Sequence, residues 1–399
     1  MTAAKNSKQR AVPRHGVLVA RSAKRNWLSL IWRGLAVLVA ASLVVVSYTA
    51  VSIGSQLKNG GIQLLDSNGN AVSTPTDFKG PINMLLVGSD TRAGQGGGFG
   101  HETSNLADVI ILLHVSADRK NAVAMSFPRD LMVPWPACPS TSGGSGYLPQ
   151  SLGQINATIA NGGPGCTLLT VESITGLTIP YLAMINFKGV IEMSNAVGGV
   201  TVCVANPIHD TYTHLDLEAG THTLQGVQAL QFLRTRHGVG DGSDLSRISN
   251  QQVFMSSLFR KIKSQGVLTN PIYLYSLANA AARNMTLSSN MTDLNVLVGL
   301  ASSLRKVDPD NMTFLQVPSA GGLPAPNQGR VALVQDKAQI LFDKLKADQP
   351  LVLAASNPGA GASATTLPTA SATPAASASS SALPDWVRGT KGSSSTCSN

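Results

Sequence analysis

Charge is what this sequence has least of. Only 13% of its 399 residues are Asp, Glu, Lys or Arg, against 43% apolar, a balance that excludes wholesale disorder. The 30 Lys+Arg outnumber the 21 Asp+Glu and give a formal charge of +9. That excess suggests a polyanion binder until it is located. Residues 1–33 hold eight basic side chains (Lys5, Lys8, Arg10, Arg14, Arg21, Lys24, Arg25, Arg33) and no acidic one. Removing those eight leaves 22 basic against 21 acidic, a net of +1. A DNA- or RNA-coating function therefore loses most of its support, and no nucleic-acid partner is expected. Other signatures are missing too. The four cysteines match no zinc spacing, the histidines form no ligand pattern, and no Ser/His/Asp or Cys/His constellation is evident. The run Gly94–Gly100 fits neither G-x-G-x-x-G nor a P-loop and reads as a flexible loop.

One long apolar run is present. Leu35 to Ile53 carries no charge over nineteen residues, about the length an α-helix needs to cross a bilayer. The basic flank before it predicts a cytoplasmic N-terminus and a single-pass membrane anchor. The small-x-small Ala50-Val51-Ser52 keeps a cleaved signal peptide as the rival reading. The expected organisation is a basic cytoplasmic tail (1–33), a transmembrane helix (34–54), a spacer (55–80), one domain (81–350) and a disordered Ala/Ser/Pro-rich tail (351–399). Outside the cytoplasm cysteines oxidise. Cys138 and Cys166 bracket a Gly/Ser/Pro-rich loop, and a disulfide between them is expected. Cys203 reads as a buried strand cysteine, and Cys397 falls in the tail.

Within the domain, short β-rich runs (Met84–Val87, Val109–Val115, Ala122–Phe127, Tyr181–Phe187, Val200–Val204) interleave with helical candidates (Thr167–Ile174, Lys188–Ala196, Gly226–Gln231, Leu245–Ile262). The pattern predicts an α/β (mixed α+β) fold with a central mixed sheet flanked by helices. With charges this scarce, their positions against the strands are informative. Asp90 ends the first strand, Asp108 opens the second, and Arg129 follows the third. Residues 116–121 read as a hairpin turn, which brings Asp108 and Arg129 to one rim of the sheet, where an antiparallel or adjacent first strand would add Asp90. A second cluster is Arg234, Arg236 and His237, followed by Asp244, Arg247 and Gln251 at i, i+3, i+7 on a helix. Arginines two apart in an extended segment share a face, and their planar forks match phosphate oxygens. Carboxylates with open positions are what Mg²⁺ accepts beside substrate phosphates. Together these residues read as a pyrophosphate site. Asp118, Arg119, Lys120 and Lys261–Lys263 read as surface salt bridges, Asp130 as a turn cap and His237 as structural.

The segments NMLLVGSDTR (83–92), SFPRD (126–130), INATIANGG (155–163), INFKG (185–189), NAVGGV (195–200), RTRH (234–237) and DLSRISNQ (244–251), in this order and spacing, resemble the LytR-CpsA-Psr family of bacterial cell-envelope proteins, actinobacterial type. The resemblance spans residues 81–350. It implies a membrane-anchored, Mg²⁺-dependent phosphotransferase that moves a glycopolymer from a polyprenyl-pyrophosphate carrier to peptidoglycan. It also implies an apolar lipid-binding tunnel and an extracellular catalytic domain. By matching motifs, Asp90 and Asp108 would serve the metal, Arg92, Arg129, Arg234, Arg236 and Arg247 would grip the phosphates, and Asp244 and Gln251 would orient them. Asp90, Asp108, Arg129 and Arg236 would be catalytic. One departure is Leu106-Ala107-Asp108, where the family often has Arg-Ser-Asp; the carboxylate is kept and the arginine is not. The alternatives are a pyrophosphatase using water on the same lipid, and a non-enzymatic envelope regulator that holds prenyl phosphates.

The topology is testable directly. A reporter fused after residue 60 should be active outside the cytoplasm; activity only inside would overturn the anchor.

Overall fold

The computed structural model describes residue 27 and residues 30–37, 52, 54–55, 60–72, 78–92, 105–140, 145–264, 270–364 and 383–399. The chain divides into two compact units, Met1–Ser52 and Ile53–Asn399. In the first, residues 30–37 are helical and exposed. Most of the expected span Leu35–Ile53 lies outside the described residues. Among the described residues no helix is long and apolar enough to cross a membrane.

The second unit is a mixed α+β domain built on a seven-stranded sheet. Its inner strands are β1 (Ile82–Ser89), β2 (Ala107–Val115) and β3 (Ala122–Phe127). They form an antiparallel meander in which Leu85 faces Leu112 and Leu112 faces Met125. Tyr181–Ile185 adds parallel to β1, and Met312–Gln316 adds parallel to β3. These strands read as nearly continuous apolar runs because the sheet is covered on both faces. Alternate residues divide between two cores. Leu85, Val87, Ile110, Leu112 and Met125 pack with Leu168 and Val171 of the Thr158–Thr175 helix and Phe342 of the Gln335–Lys346 helix. Met84, Ile111, Leu113 and Ala124 pack with Val296 and Leu300 of the Leu294–Lys306 helix. A third core joins Val200 and Val202 of the Val200–Val204 strand to Phe232 and Phe254. Parallel and antiparallel pairings converge so that Ser89, Ala107, Phe127 and Ile185 lie at one rim.

Both ends of the domain extend further than the sequence pattern implies. Leu64, in the expected spacer, is 2% exposed and belongs to the first core, and Ile62 bridges to Ser288. The expected disordered tail, 351–399, is folded where it is described. Gly389–Lys391 extends the central sheet beside Met312–Gln316. Thr396–Ser398 inserts between Val200–Val204 and Ala362–Ala364. The Ala/Ser/Pro bias that argued for disorder is concentrated in residues 365–382, which lie outside the described residues. The last seventeen residues keep Leu383 and Val387 for the core and Cys397 for a disulfide to Cys203 (Cα–Cα 4.4 Å). Cys203 is thus a bridged cysteine and not a lone buried one. Cys138 and Cys166, the pair expected from the sequence, are also joined (Cα–Cα 5.3 Å). Gly162 makes room for that bridge, since a Cβ there would stand 2.6 Å from Cys166 Cβ and 3.0 Å from Cys138 Cβ.

Arg119 corrects another expectation. It sits at the β2–β3 turn but is only 7% exposed. Its guanidinium donates to Ser116 O (2.7 Å), Gly80 O (2.9 Å) and Phe78 O. Asp118 caps the same turn, accepting from Ser116 Oγ and Lys120 N. Lys261 likewise donates to the Gly198 and Gly199 carbonyls and not to a carboxylate. A turn residue can be charged and still be a staple when carbonyls surround it. Arg119→Ala should therefore lower stability by about 2–4 kcal/mol, because three carbonyls lose a charged donor. An unchanged thermal melt would restore the surface reading.

Candidate functional site

The rim where β1, β2 and β3 end carries the charges. Asp90 N donates to Leu106 O (3.0 Å), and Leu106 N donates back to Asp90 Oδ1 (2.6 Å). This two-way strap ties the exit of β1 to the entry of β2, pairing Asp90 with the residue two before Asp108. Residue 106, where the family pattern would place an arginine, contributes through its backbone. Asp108 Oδ1 then accepts from Arg129 Nη1 at 2.7 Å. Residues 93–104, including the Gly-rich run, lie outside the described residues.

The second half of the site comes from the Val227–Arg234 helix and the Asp244–Ser264 helix. Asp244 binds arginines from both halves. Its Oδ1 lies 2.7 Å from Arg247 Nη2 and 3.5 Å from Arg129 Nε, and its Oδ2 accepts from Arg129 N (3.2 Å). Arg247 Nη2 also donates to Asp108 O (2.8 Å). Asp108, Arg129, Asp244 and Arg247 form one chain of alternating charge. Asp244 is therefore a brace between arginines and not a free phosphate-orienting group. Gln251 is placed the same way: its Nε2 donates to Leu233 O (3.0 Å), while the neighbouring Asn250 Nδ2 donates to Phe232 O (2.7 Å). Both amides hold the end of the Val227–Arg234 helix.

Arg234 and Arg236 differ from Arg129 and Arg247. Among the described residues neither guanidinium has a hydrogen-bond or ion-pair partner. Arg234 lies over the Phe187 ring, 4.3 Å from its centroid, a contact that holds a cation without neutralising it. Burial pulls the Arg234 guanidinium below its ordinary value; Asp108 opposes that, and Arg92 and Arg247 add to it. Burial, then Arg129 and Arg247, do the same to Arg236. For Arg129 burial also lowers, but Asp108, Asp244 and Asp130 outweigh it and the net direction is upward. These mutual influences place Arg92, Arg129, Arg234, Arg236 and Arg247 in one electrostatic neighbourhood.

Beside this cluster opens a cavity of about 310 Å³. Its lining includes the polar residues Asp108, Arg234, Arg247 and Gln251 and the apolar residues Val190, Leu230, Phe254, Met255 and Leu258. The arginines thus stand where a polar rim meets an apolar interior. Asp90 and Asp108 offer hard oxygen donors on adjacent strands. Among the described residues no group of three or more His, Cys, Asp or Glu could cage a metal. A donor set of two carboxylates fits Mg²⁺, which takes its remaining ligands from phosphates and water.

Several residues at the site were read from sequence as structural or were not singled out, Asp130 as a turn cap among them. Asp130 faces Arg129 (3.8 Å from Nε) and accepts from Gln154 Nε2 (2.6 Å). Burial and then Asp244 raise its carboxyl above the ordinary value. Gln154 immediately precedes the INATIANGG segment and Phe187 lies within INFKG, so their neighbourhoods carried a signal although their own types did not. Asp210, buried beneath Arg236, had none.

Comparison with known proteins agrees with the geometry. The model of the LytR_cpsA_psr family matches residues 48–347. The cell wall biosynthesis protein LcpA of Corynebacterium glutamicum is 27% identical over 318 residues, covering 72% of this chain and 60% of LcpA; the chain thus spans less than two thirds of that relative. The polyisoprenyl-teichoic acid–peptidoglycan teichoic acid transferase TagT of Bacillus subtilis is 27% identical over 308 residues, covering 74% of this chain and 88% of TagT. Among solved structures, a LytR-Csp2A-Psr enzyme from Actinomyces oris superposes with a TM-score of 0.53 at 25% identity, over 72% of this chain and 95% of that one.

Proposed function

The chain belongs to the LytR_cpsA_psr family, and from that premise we propose that it is a membrane-anchored phosphotransferase that moves a glycopolymer from a polyprenyl-pyrophosphate carrier to peptidoglycan. The observation that carries this reading is the pair Arg234 and Arg236, whose guanidiniums have no hydrogen-bond or ion-pair partner among the described residues, beside an apolar cavity that Arg234 lines. A ligand that satisfies both features has an anionic, multiply charged head and a long apolar tail. A polyprenyl pyrophosphate is such a molecule, and the names of LcpA and TagT support the same chemistry. The prenyl chain would enter the cavity along Leu230, Phe254 and Met255. Residues 1–33 and the apolar run that follows would hold the domain at the outer membrane face. Two disulfides support an oxidising compartment.

The reaction then follows from position. An acceptor hydroxyl oxygen forms a bond to the phosphorus that bears the glycopolymer. The bond from that phosphorus to the bridging oxygen breaks, and the polyprenyl phosphate departs. The hydroxyl proton passes to a rim carboxylate, Asp90 or Asp108. Arg234 and Arg236 take the charge that gathers on the leaving phosphate, with Arg129 and Arg247 held ready by Asp108 and Asp244. Mg²⁺ is part of the proposal: held by Asp90 and Asp108, it would neutralise phosphate charge.

The domain should therefore be incubated with a polyprenyl-pyrophosphate saccharide, Mg²⁺ and peptidoglycan oligomers, and the products read by mass spectrometry. A phosphodiester-linked conjugate is expected. Free saccharide phosphate alone would point to water as acceptor and overturn the transferase. Arg236→Lys keeps the charge but loses the planar fork, so turnover should fall roughly 30- to 1000-fold with an unchanged melt.

A further inference from the structure

The hairpin formed by Ile208–Asp210 and Leu215–Leu217 is no part of the phosphate site, yet it is locked to it by one carboxylate. Asp210 is 2% exposed. Its Oδ2 accepts from Thr235 Oγ1 (2.6 Å) and Arg236 N (3.2 Å), and its Oδ1 accepts from Tyr212 N (2.9 Å) and Thr213 N (3.3 Å). Two donors come from the arginine segment and two from the hairpin tip. Gly238 allows the same close approach one step later, since a Cβ there would meet Ile208 Cγ2 at 2.8 Å. The tip is thus tied through Asp210 to the backbone of Arg236.

What the tip presents is an aromatic platform. Tyr212 is 77% exposed, and its ring lies tilted against that of His237, with centroids 4.2 Å apart and planes 31° apart. His237 is itself exposed and follows Arg236 directly. An exposed tyrosine at a loop tip is ordinarily mobile and needs no explanation. This one is backed by a second ring and anchored through a buried carboxylate to the backbone of a phosphate-site arginine, an investment in position that a solvent-facing side chain does not require.

We propose that Tyr212 and His237 form a saccharide subsite next to the phosphate cluster. The inference rests on the proposed transferase reading, because it takes a phosphate at Arg236 as its reference point. The ring C–H hydrogens of a pyranose carry slight positive charge and stack on the negative face of an aromatic ring, while the sugar hydroxyls stay in water or meet the phenol edge. The platform is open and shallow, which suits a unit within a polymer. Sugar reaches this site from two sources, the donor glycopolymer and the peptidoglycan acceptor, and the ring chemistry is the same for both.

Calorimetry on the intact domain distinguishes them. Three probes are titrated: a short-chain polyprenyl pyrophosphate without sugar, the same lipid carrying an oligosaccharide, and a free peptidoglycan tetrasaccharide. Tyr212→Ala should weaken either the sugar-bearing lipid or the tetrasaccharide about tenfold, the loss of one stacking contact. The probe that weakens names the source. Binding of the sugar-free lipid should stay unchanged, and Tyr212→Phe should restore the wild-type affinity. No change for either sugar probe, or an equal loss for the sugar-free lipid, would overturn the subsite. Failure of the wild-type protein to bind the sugar-free lipid would instead count against the phosphate reading, and the tetrasaccharide arm alone would then decide the platform.

Discussion

Guanidiniums repel one another, and the site exists because carboxylates hold several of them at close quarters. Asp244 is the central one. It joins Arg129, from the end of β3, to Arg247, on the first turn of the Asp244–Ser264 helix, while Asp108 binds Arg129 from the other side. Remove the braces and mutual repulsion would spread the rim. With them, two arginines are ion-paired within the protein and two more, Arg234 and Arg236, are left without an ion-pair partner among the described residues. Preorganised charge of this kind costs stability in the free protein and lowers the cost of binding a polyanion.

The fold supplies the second half of the arrangement. The same sheet that brings Asp90, Asp108 and Arg129 to one rim also contributes Leu86, Val87 and Ile111 to the apolar cavity. Polar and apolar parts therefore share strands, and the boundary between them is set by register. A one-residue slip in β2 would turn Asp108 away from Arg129 and put an apolar side chain in its place. The folded C-terminal segment adds to this rigidity. Gly361 packs against the Ser246 backbone on the Asp244–Ser264 helix, and Asn399 O accepts from Gly240 N (2.8 Å) in the loop after Arg236. Residues 348–399 lie beyond the family match, yet they hold the helix and loop that carry the site.

Much of the site was legible because charge is scarce and strands are strongly apolar. A lone Asp at the end of a run such as Met-Leu-Leu-Val has few places to go, so Asp108 and Arg129 were readable from the hairpin and Asp90 from a first strand adjacent to it. The i, i+3, i+7 spacing put Asp244, Arg247 and Gln251 on one helix face. Their division of labour was not readable: Gln251 and Asp244 hold protein groups, which depends on distances that spacing does not encode. Arg119 was misread because turn position suggests exposure, whereas the carbonyls of Phe78 and Gly80 arrive from a segment some 40 residues away. Asp210 left no trace, since its donors are backbone groups and one threonine. The tail was misread because its composition averages an Ala/Ser/Pro run with a terminal stretch that pairs in two sheets.

The central claim is that the unpaired arginines and the cavity receive one ligand together. A crystal structure of the domain with a short-chain polyprenyl pyrophosphate tests it most directly. Phosphate oxygens are expected within hydrogen-bonding distance of Arg234 and Arg236, with the prenyl chain running past Leu230, Phe254 and Met255. Phosphates bound elsewhere, or a prenyl chain lying outside the cavity, would contradict it.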